Sequence, residues 1–363
     1  MKGDMIMERT YKPWQDWGYK SKQTEYTEKT PLFDDNGKLL AAGWAKHNVF
    51  EYDRNKVKPK MHRKEWDFYQ ISNGKYMVQL NFANITLGGY INAVLVDVTG
   101  GGEICNVMAP FVGQTNKYLL PPKGDEPSRL SYTIGKATFD FVTKENERTL
   151  YFKMDDTEAE FTMDMLPGHE NITTVLPFDG YPDRYFMTTK LNCMPTSGFF
   201  KCGGKTYEFS KDDTFTVLDW GRVCTPYKMV WYWGNGSTYL EDAQGVKHTF
   251  GFEITWGIGN ESNATETCIF YDGKAHKFGA IDVETFPKPD KYMEPWKFVS
   301  EDGRFNMTMT PVFDNHLDLD VKVMRMHSHQ VHGKWNGTAT LDDGTVLEIK
   351  DMYAFCEYVE NRW

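Results

Sequence analysis

Apolar and polar residues alternate with a period of two along much of the chain, and this limits what the chain can fold into. The alternation is clear at residues 76–87, 90–98, 249–256 and 317–323. Such a pattern predicts half-buried β-strands, because helices repeat every 3.6 residues. No long segment shows the helical period. We therefore predict an all-β protein.

Turn signals between these segments indicate how the strands are joined. Asn-Gly and Asp-Gly dipeptides, which suit hairpin turns with positive φ, occur at 73–74, 272–273, 302–303 and 343–344. Short strands joined by turns are typical of sandwiches and barrels. Faint similarity between the segments after Trp66 and after Trp231 indicates two units. We predict tandem antiparallel barrels at 31–204 and 205–363, after an N-terminal extension at 1–30.

Composition and charge exclude some classes of partner. The 363 residues include 41 Lys+Arg and 51 Asp+Glu, a net charge of −10, which argues against a nucleic-acid surface. No stretch approaches the ~20 apolar residues of a membrane span. The first thirty residues lack a secretory pattern, and the six cysteines include no C-x-x-C pair. We expect a cytoplasmic protein with a small-molecule partner and no cofactor; the oligomeric state is not predicted.

Residues 218–237 form the most unusual segment, since they combine one acid, two cations, five large aromatic residues and several glycines. One interpretation is a binding pocket in which Trp231 and Trp233 line one face and Arg222 positions Asp219. The other is structural: a buried salt bridge and an aromatic plug that closes a barrel end. The pattern leaves both open.

A second segment, residues 251–267, places acids inside an apolar alternation. If Glu253 points into a barrel, burial would raise its pKa and make it a proton donor. Glu266, just before the next strand, is the other candidate acid. Two carboxyls that meet at one site suit acid–base work on a double bond or a glycosidic oxygen. The alternative is that both acids face solvent, because glutamate is rarely buried.

Two other patterns are weaker. His327 and His329 would point to the same face of a strand, as two metal ligands should, but His332 falls at a turn and the pattern offers no third ligand. We predict no metal site. A basic run ends at Lys64, just before Trp66; it is either a solvated edge or a contact to a polar or anionic ligand.

Several segments resemble the family of a domain of unknown function numbered 2804. They are residues 167–177, 188–198, 218–237, 272–276 and 360–363, with Arg63, Lys64 and Trp66 on the family's basic-Trp stretch. The resemblance spans about residue 31 to the C-terminus and implies paired lipocalin-like β-barrels, similar to AttH-like proteins and carotenoid hydratases. It implies no activity. Val223 and Cys224 depart from the family pattern, and of the three histidines only His329 matches it.

The sequence is compatible with three functions. The first is a hydratase- or lyase-like enzyme for a hydrophobic, isoprenoid-like substrate, with Asp219 or Glu266 as the acid and Arg222 or Lys64 stabilising developing charge. The second is a non-catalytic binder of an apolar or amphipathic molecule. The third is a carbohydrate-active enzyme with paired carboxylates. The predicted substrate-binding residues are Lys64, Trp66, Tyr227, Trp231, Tyr232, Trp233, Asn235, Glu253 and Trp256.

Overall fold

The computed structural model describes residues 14–113, 115–283, 291–321 and 324–362, which form strands joined by short turns. The first fourteen strands are β1 Thr30–Pro31, β2 Gly43–Ala45, β3 Phe50–Glu51, β4 Arg63–Ser72, β5 Tyr76–Asn84, β6 Gly88–Asp97, β7 Gly102–Val112, β8 Ser128–Ile134, β9 Ala137–Thr143, β10 Glu147–Met154, β11 Thr157–Asp164, β12 Ile172–Phe178, β13 Tyr181–Cys202 and β14 Lys205–Phe209. The next ten are β15 Phe215–Cys224, β16 Lys228–Glu241, β17 Lys247–Trp256, β18 Glu266–Tyr271, β19 Lys274–Lys277, β20 Ile281–Val283, β21 Trp296–Ser300, β22 Phe305–Val321, β23 Met324–Thr340 and β24 Val346–Arg362.

The all-β prediction is confirmed, because the helices of the described residues are two 3-10 turns, Trp14–Asp16 and Lys60–His62. No helix in those ranges is long and apolar enough to cross a membrane. Residues 1–13 of the predicted extension and residues 322–323 of a predicted strand lie outside the described part of the chain.

The larger of the two main sheets, here called the large sheet, has 13 strands. Its main path runs β7-β6-β5-β4-β15-β13-β11-β10-β9-β8; β12 and β14 also pair with β13, and β2 pairs with β12. All of these pairs are antiparallel. The two end strands of the path, β7 and β8, contact each other, so the sheet curls towards a barrel.

The small sheet has nine strands in the order β19-β18-β17-β16-β24-β23-β22-β21-β20, again antiparallel. It curls until β20 approaches β17. Two curled antiparallel sheets agree with the lipocalin-like pair that the family resemblance implies.

The turn dipeptides are confirmed as strand connections. Gly74, Gly273, Gly303 and Gly344 all have positive φ, between 72° and 88°. They join β4 to β5, β18 to β19, β21 to β22 and β23 to β24. Glycine adopts this conformation without the steric cost that other residues meet.

The chain passes from the large sheet to the small sheet between β15 and β16, beyond the Gly203–Gly204 turn at which the sequence places a domain boundary. The domain division itself stays a prediction. The segment before β1 lies against the small sheet's loops, since the Ser21 hydroxyl donates to the Glu261 carbonyl and the Lys22 N–H donates to the Ser262 carbonyl.

Each curled sheet encloses its own apolar core. The large sheet buries rings such as Phe82, Phe139 and Trp220, and the small sheet buries rings such as Trp296 and Trp335. A third apolar cluster, which includes Val223 and Phe270, lies where the two sheets meet. Strands β13 and β15 of the large sheet contact β16, β17 and β18 across this interface.

Candidate functional site

Strand alternation decides which residues of the 218–237 segment reach the interface between the sheets. On β15, Asp219 faces the interface while Trp220 and Arg222 face the interior of the large sheet. On β16, Trp231 and Trp233 face the interface, because successive side chains of a strand point to opposite faces.

A buried lysine organises the interface. Lys190 of β13 lies 2.8 Å from Asp219 Oδ1 and 3.9 Å from Glu266 Oε2, measured from Nζ. Its ammonium also lies 4.1 Å from the centroid of the Trp233 ring. Burial opposes the charged form, but the nearby carboxylates of Asp219, Glu266 and Glu253 raise the pKa of Lys190. Lys190 is therefore a buried ammonium among acids.

Glu253 of β17 is completely buried beside this lysine. The Trp233 indole N–H donates to its Oε2 (2.8 Å), and the Asn192 amide donates to its Oε1 (2.9 Å). Burial raises the pKa of Glu253 to about 8, and the negative charges of Glu266 and Asp219 add to the effect; Lys190 and the Trp233 bond oppose it. Glu253 thus holds its proton more tightly than an ordinary glutamate does.

Two more carboxyls complete the set. Glu266 of β18 accepts from the Thr188 hydroxyl, and burial raises its pKa. Glu357 of β24 accepts from the Trp231 indole N–H (3.0 Å) and from Gln330 (2.9 Å), and burial raises its pKa as well. The interface cluster is defined here as Lys190, Asp219, Glu253, Glu266 and Glu357. Four carboxyls share one ammonium, so the cluster favours at least one bound proton.

Next to the cluster, the backbones of β13 and β17 approach each other closely. Strand β13 has an irregularity in its pairing with β15 between Leu191 and Met194, and Cys193 there has φ of 59°. This bulge turns Asn192 towards Glu253. A Cβ at Gly251 would lie 2.5 Å from Cys193 Sγ, so only glycine lets β17 pass this point.

An open cleft of about 420 Å³ lies beside the cluster, between β4 and β15 of the large sheet and β16 and β24 of the small sheet. Its lining combines apolar side chains such as Phe215, Val217 and Phe355 with polar ones such as Gln70 and Asn235. This volume falls within the range of small-molecule sites.

Gln70 and Asn235 separate the cleft from the cluster. Gln70 Nε2 donates to Asn235 Oδ1 (3.0 Å), and Asn235 is the cross-strand neighbour of Glu253. Both side chains are buried, yet Gln70 Oε1 and Asn235 Nδ2 make no hydrogen bond within the described residues. One donor and one acceptor are thus left at the cleft's floor. Exchanging O and N in both amides would leave the same pair of groups.

The predicted contact between Asp219 and Arg222 does not form. Arg222 Nη2 instead bonds Asp67 Oδ1 (2.9 Å) and the Pro121 carbonyl, and Nη1 bonds the Trp66 carbonyl (2.7 Å). The reason is the strand period: residues three apart on β15 lie on opposite faces. Asp219 pairs with Lys190 on the other side.

Four of the predicted substrate-binding residues, Trp231, Tyr232, Trp233 and Trp256, lie on two different faces of the small sheet. Tyr232 stacks on Trp256 inside the small-sheet core, with centroids 4.7 Å apart and planes at 13°. Trp231 and Trp233 lie at the interface. The structure therefore brings Asp219, Glu253, Glu266, Trp231, Trp233 and Asn235 together and leaves out Arg222, Tyr232 and Trp256.

The remaining predicted residues lie around the cluster. Trp66 packs on Phe186 at the interface, in a space that a Cβ at Gly221 would fill. Lys64, two residues before Trp66 on β4, is also buried. Its ammonium donates to the Thr225 hydroxyl (3.1 Å), and burial lowers its pKa to about 8. Tyr227 is exposed in the link between β15 and β16.

Sequence reasoning missed Lys190, Asn192, Glu357 and Gln70. The first two lie in residues 188–198, where Lys190 and Asn192 alternate with the apolar Leu191 and Cys193. A lysine within such an alternation could have indicated a buried charged residue. Gln70 and Glu357 carry no comparable signal, because their roles depend on which strands of the two sheets meet.

Comparisons with solved structures give distant likenesses. Kievitone hydratase from Nectria haematococca aligns at 10% identity over 95% of this chain and 98% of its own, with a TM-score of 0.42. A structure described as AttH from Nitrosomonas europaea aligns at 12% identity over 85% of this chain and 95% of its own, also with a TM-score of 0.42. Among curated proteins, none matches.

A family profile, in contrast, covers the interface residues of both sheets. It is described as "Domain of unknown function (DUF2804)" and matches residues 23–363. That span includes every member of the interface cluster and the lining of the cleft. The chain therefore belongs to the DUF2804 family.

Proposed function

We propose that the protein is an acid–base enzyme of the hydratase or lyase kind, which acts on a small hydrophobic molecule in the cleft between the sheets. The observation that carries this proposal is the convergence of Asp219, Glu253 and Glu266 on Lys190 behind the polar floor of the cleft. Environments that hold one carboxyl neutral and another ionised supply an acid and a base at the same pH.

The proposed roles follow from the contacts. Glu253 holds a proton at pH 7 and donates it to one carbon of a double bond. Asp219, whose carboxylate is paired with Lys190, takes a proton from the water whose oxygen adds to the other carbon. The reverse sequence removes water. Lys190 offsets negative charge that develops near the two acids.

The floor of the cleft limits the substrate. Gln70 Oε1 and Asn235 Nδ2 are a buried acceptor and a buried donor without partners in the described part of the chain. A hydroxyl group satisfies both, whereas a pure hydrocarbon satisfies neither. The favoured substrate therefore has an apolar body and a hydroxyl or carbonyl. Its approach to Glu253 breaks the Gln70–Asn235 hydrogen bond.

The test of this proposal is whether the protein transfers deuterium from solvent to a carbon atom of a substrate. The full chain is incubated in D₂O with a panel of unsaturated alcohols and ketones, and NMR follows new C–D bonds. We expect incorporation with at least one compound and a loss of about 100-fold in Glu253→Gln. Glu261→Gln is the matched control, because Glu261 is also buried with a pKa of about 8 but bonds Gly257 outside the cluster. Equal rates in both variants would overturn the assignment of Glu253.

A non-catalytic binder is the second candidate, and one observation favours it. Glu253 and Glu266 are fully buried and already hydrogen-bonded, while the cleft itself is open. Native mass spectrometry of protein purified from its own host separates the two. A retained molecule, released on denaturation, supports a carrier; a mass without ligand, together with deuterium incorporation, supports the enzyme.

The carbohydrate-active alternative has less support. Its paired carboxylates would flank an open groove, with the sugar between them. Here Asp219 and Glu266 instead face the same buried lysine.

A further inference from the structure

Three histidines come together on two neighbouring strands of the small sheet, β22 and β23. His327 and His329 lie on β23, and His316 lies on β22 directly opposite His329 in the register. One ring nitrogen from each can be chosen so that all three lie within 4.8 Å of one another. The sequence offers only the first two as a pair, because the third depends on the register between β22 and β23.

A carboxylate orients one of the rings, and a second carboxylate lies near another. His329 Nδ1 lies 2.7 Å from Asp314 Oδ2, and since a carboxylate only accepts, this contact places the proton on Nδ1 and leaves Nε2 as a lone-pair donor. Asp318 Oδ1 lies 3.6 Å from His327 Nδ1. A carboxylate behind a histidine is the usual outer contact of a metal-binding imidazole.

Packing fixes one ring and leaves another able to turn. His329 is 9% exposed and stacks on Tyr292, with centroids 3.7 Å apart and planes at 11°. His316 is exposed and stacks on His329, with centroids 4.2 Å apart.

We propose that His316, His327 and His329 bind one divalent late transition-metal ion of the zinc class. Imidazole nitrogens suit this class, and three protein ligands leave a fourth position for water. Bonds of 2.0–2.1 Å in a tetrahedron require about 3.3 Å between nitrogens, whereas the present nitrogens are separated by up to 4.8 Å. The exposed His316 ring closes this gap by turning away from its stack on His329.

The probes are Zn²⁺ and Cu²⁺, added to the full chain prepared without a polyhistidine tag. Competition with a chromophoric chelator measures Zn²⁺ affinity and stoichiometry. We expect one Zn²⁺ per chain, with affinity lowered at least about 10-fold by His316→Gln and by His329→Gln. In the Cu²⁺ form, electron paramagnetic resonance should show hyperfine coupling to imidazole nitrogens that is reduced in each variant.

His248→Gln is the matched control. His248 lies between Asp242 and Asp272 on the small sheet, so it offers a histidine with two carboxylates but no second histidine. Its substitution should leave the Zn²⁺ affinity unchanged. His316 is exposed, so His316→Gln keeps the test valid even if His329→Gln unfolds. Unchanged Zn²⁺ affinity in His316→Gln, or an equal loss in His248→Gln, would overturn the proposal.

Discussion

Strand β15 carries a buried charged residue on each face, Arg222 on one and Asp219 on the other, and the surroundings of the two differ. Inside the large sheet, Arg222 meets one carboxylate, Asp67, and its other N–H groups donate to backbone carbonyls. At the interface, Asp219 is one of four carboxyls around a single ammonium, Lys190.

The difference separates a structural role from a candidate chemical one. The Arg222 group is matched in charge and in hydrogen bonds, and nothing about it calls for a ligand. The interface cluster has more acids than its lysine can neutralise, so its proton count responds to pH and to whatever binds nearby. Excess charge rather than burial distinguishes the second group.

The largest effect should come from Arg222→Met. This change leaves Asp67 buried without its cation and removes the Arg222 donors from three backbone carbonyls. We expect a loss of about 4 kcal/mol in the free energy of unfolding, measured with urea at pH 7. Arg129→Met, which breaks the exposed pair with Asp140, should cost far less. Similar losses of unfolding free energy in the two variants would show that the buried Arg222–Asp67 pair is no more important for stability than an exposed pair.

Lys190→Met should have the next largest effect, and the effect should depend on pH. Without the ammonium, the carboxyls stay protonated to higher pH in the folded state than in the unfolded state. Groups with raised pKa values stabilise below their unfolded pKa and lose that contribution as pH rises. We expect losses of about 3 kcal/mol at pH 8 and clearly smaller ones at pH 5. A loss that does not change with pH would show that the cluster does not titrate.

Glu253→Gln should change the slope of stability against pH more than its value. In the wild type the folded carboxyl releases its proton at about pH 8, against 4.5 for the ordinary group, so stability falls as pH rises through that window. Glutamine cannot titrate, so the fall between pH 5 and 8 should shrink by on the order of 2 kcal/mol. Urea unfolding at three pH values, for the wild type and the variant, measures this change of unfolding free energy with pH. An unchanged slope would mean that Glu253 is ionised in the folded protein.

The smallest effect is expected for Trp231→Phe. It removes one of two donors to Glu357 and keeps the bond from Gln330. The cost should be about 1 kcal/mol and should grow with pH, because the lost bond favours the ionised carboxyl. Trp296→Phe, in the small-sheet core, should show no such pH dependence.

The alternation of single strands was enough to predict the all-β class and the four hairpin turns, because period and turn chemistry are local properties. The apolar alternation around Glu253 offered a buried acid as one of two interpretations, and the structure buries it. Its surroundings were not predicted. The predicted Asp219–Arg222 pair was wrong, because one continuous strand puts residues three apart on opposite faces.

The rest of the site depends on pairings that no local pattern encodes. Lys190 reaches Asp219 because β13 pairs with β15, and it reaches Glu266 because the small sheet lies against that face. The histidine cluster needs the register that sets His316 opposite His329. Such contacts join residues that are distant in sequence, and strand pairing and sheet packing determine which residues meet.

The position of β15 also has a consequence for the order in which the chain can assemble. This strand lies between β4 and β13 in the large sheet, yet it is made long after β4. A nascent chain that ends at Gly204 therefore exposes two unpaired strand edges, and such edges invite association with other chains. Only three residues separate the end of β15 from the start of β16. Completion of the large sheet during synthesis thus immediately precedes, and anchors, the start of the small sheet.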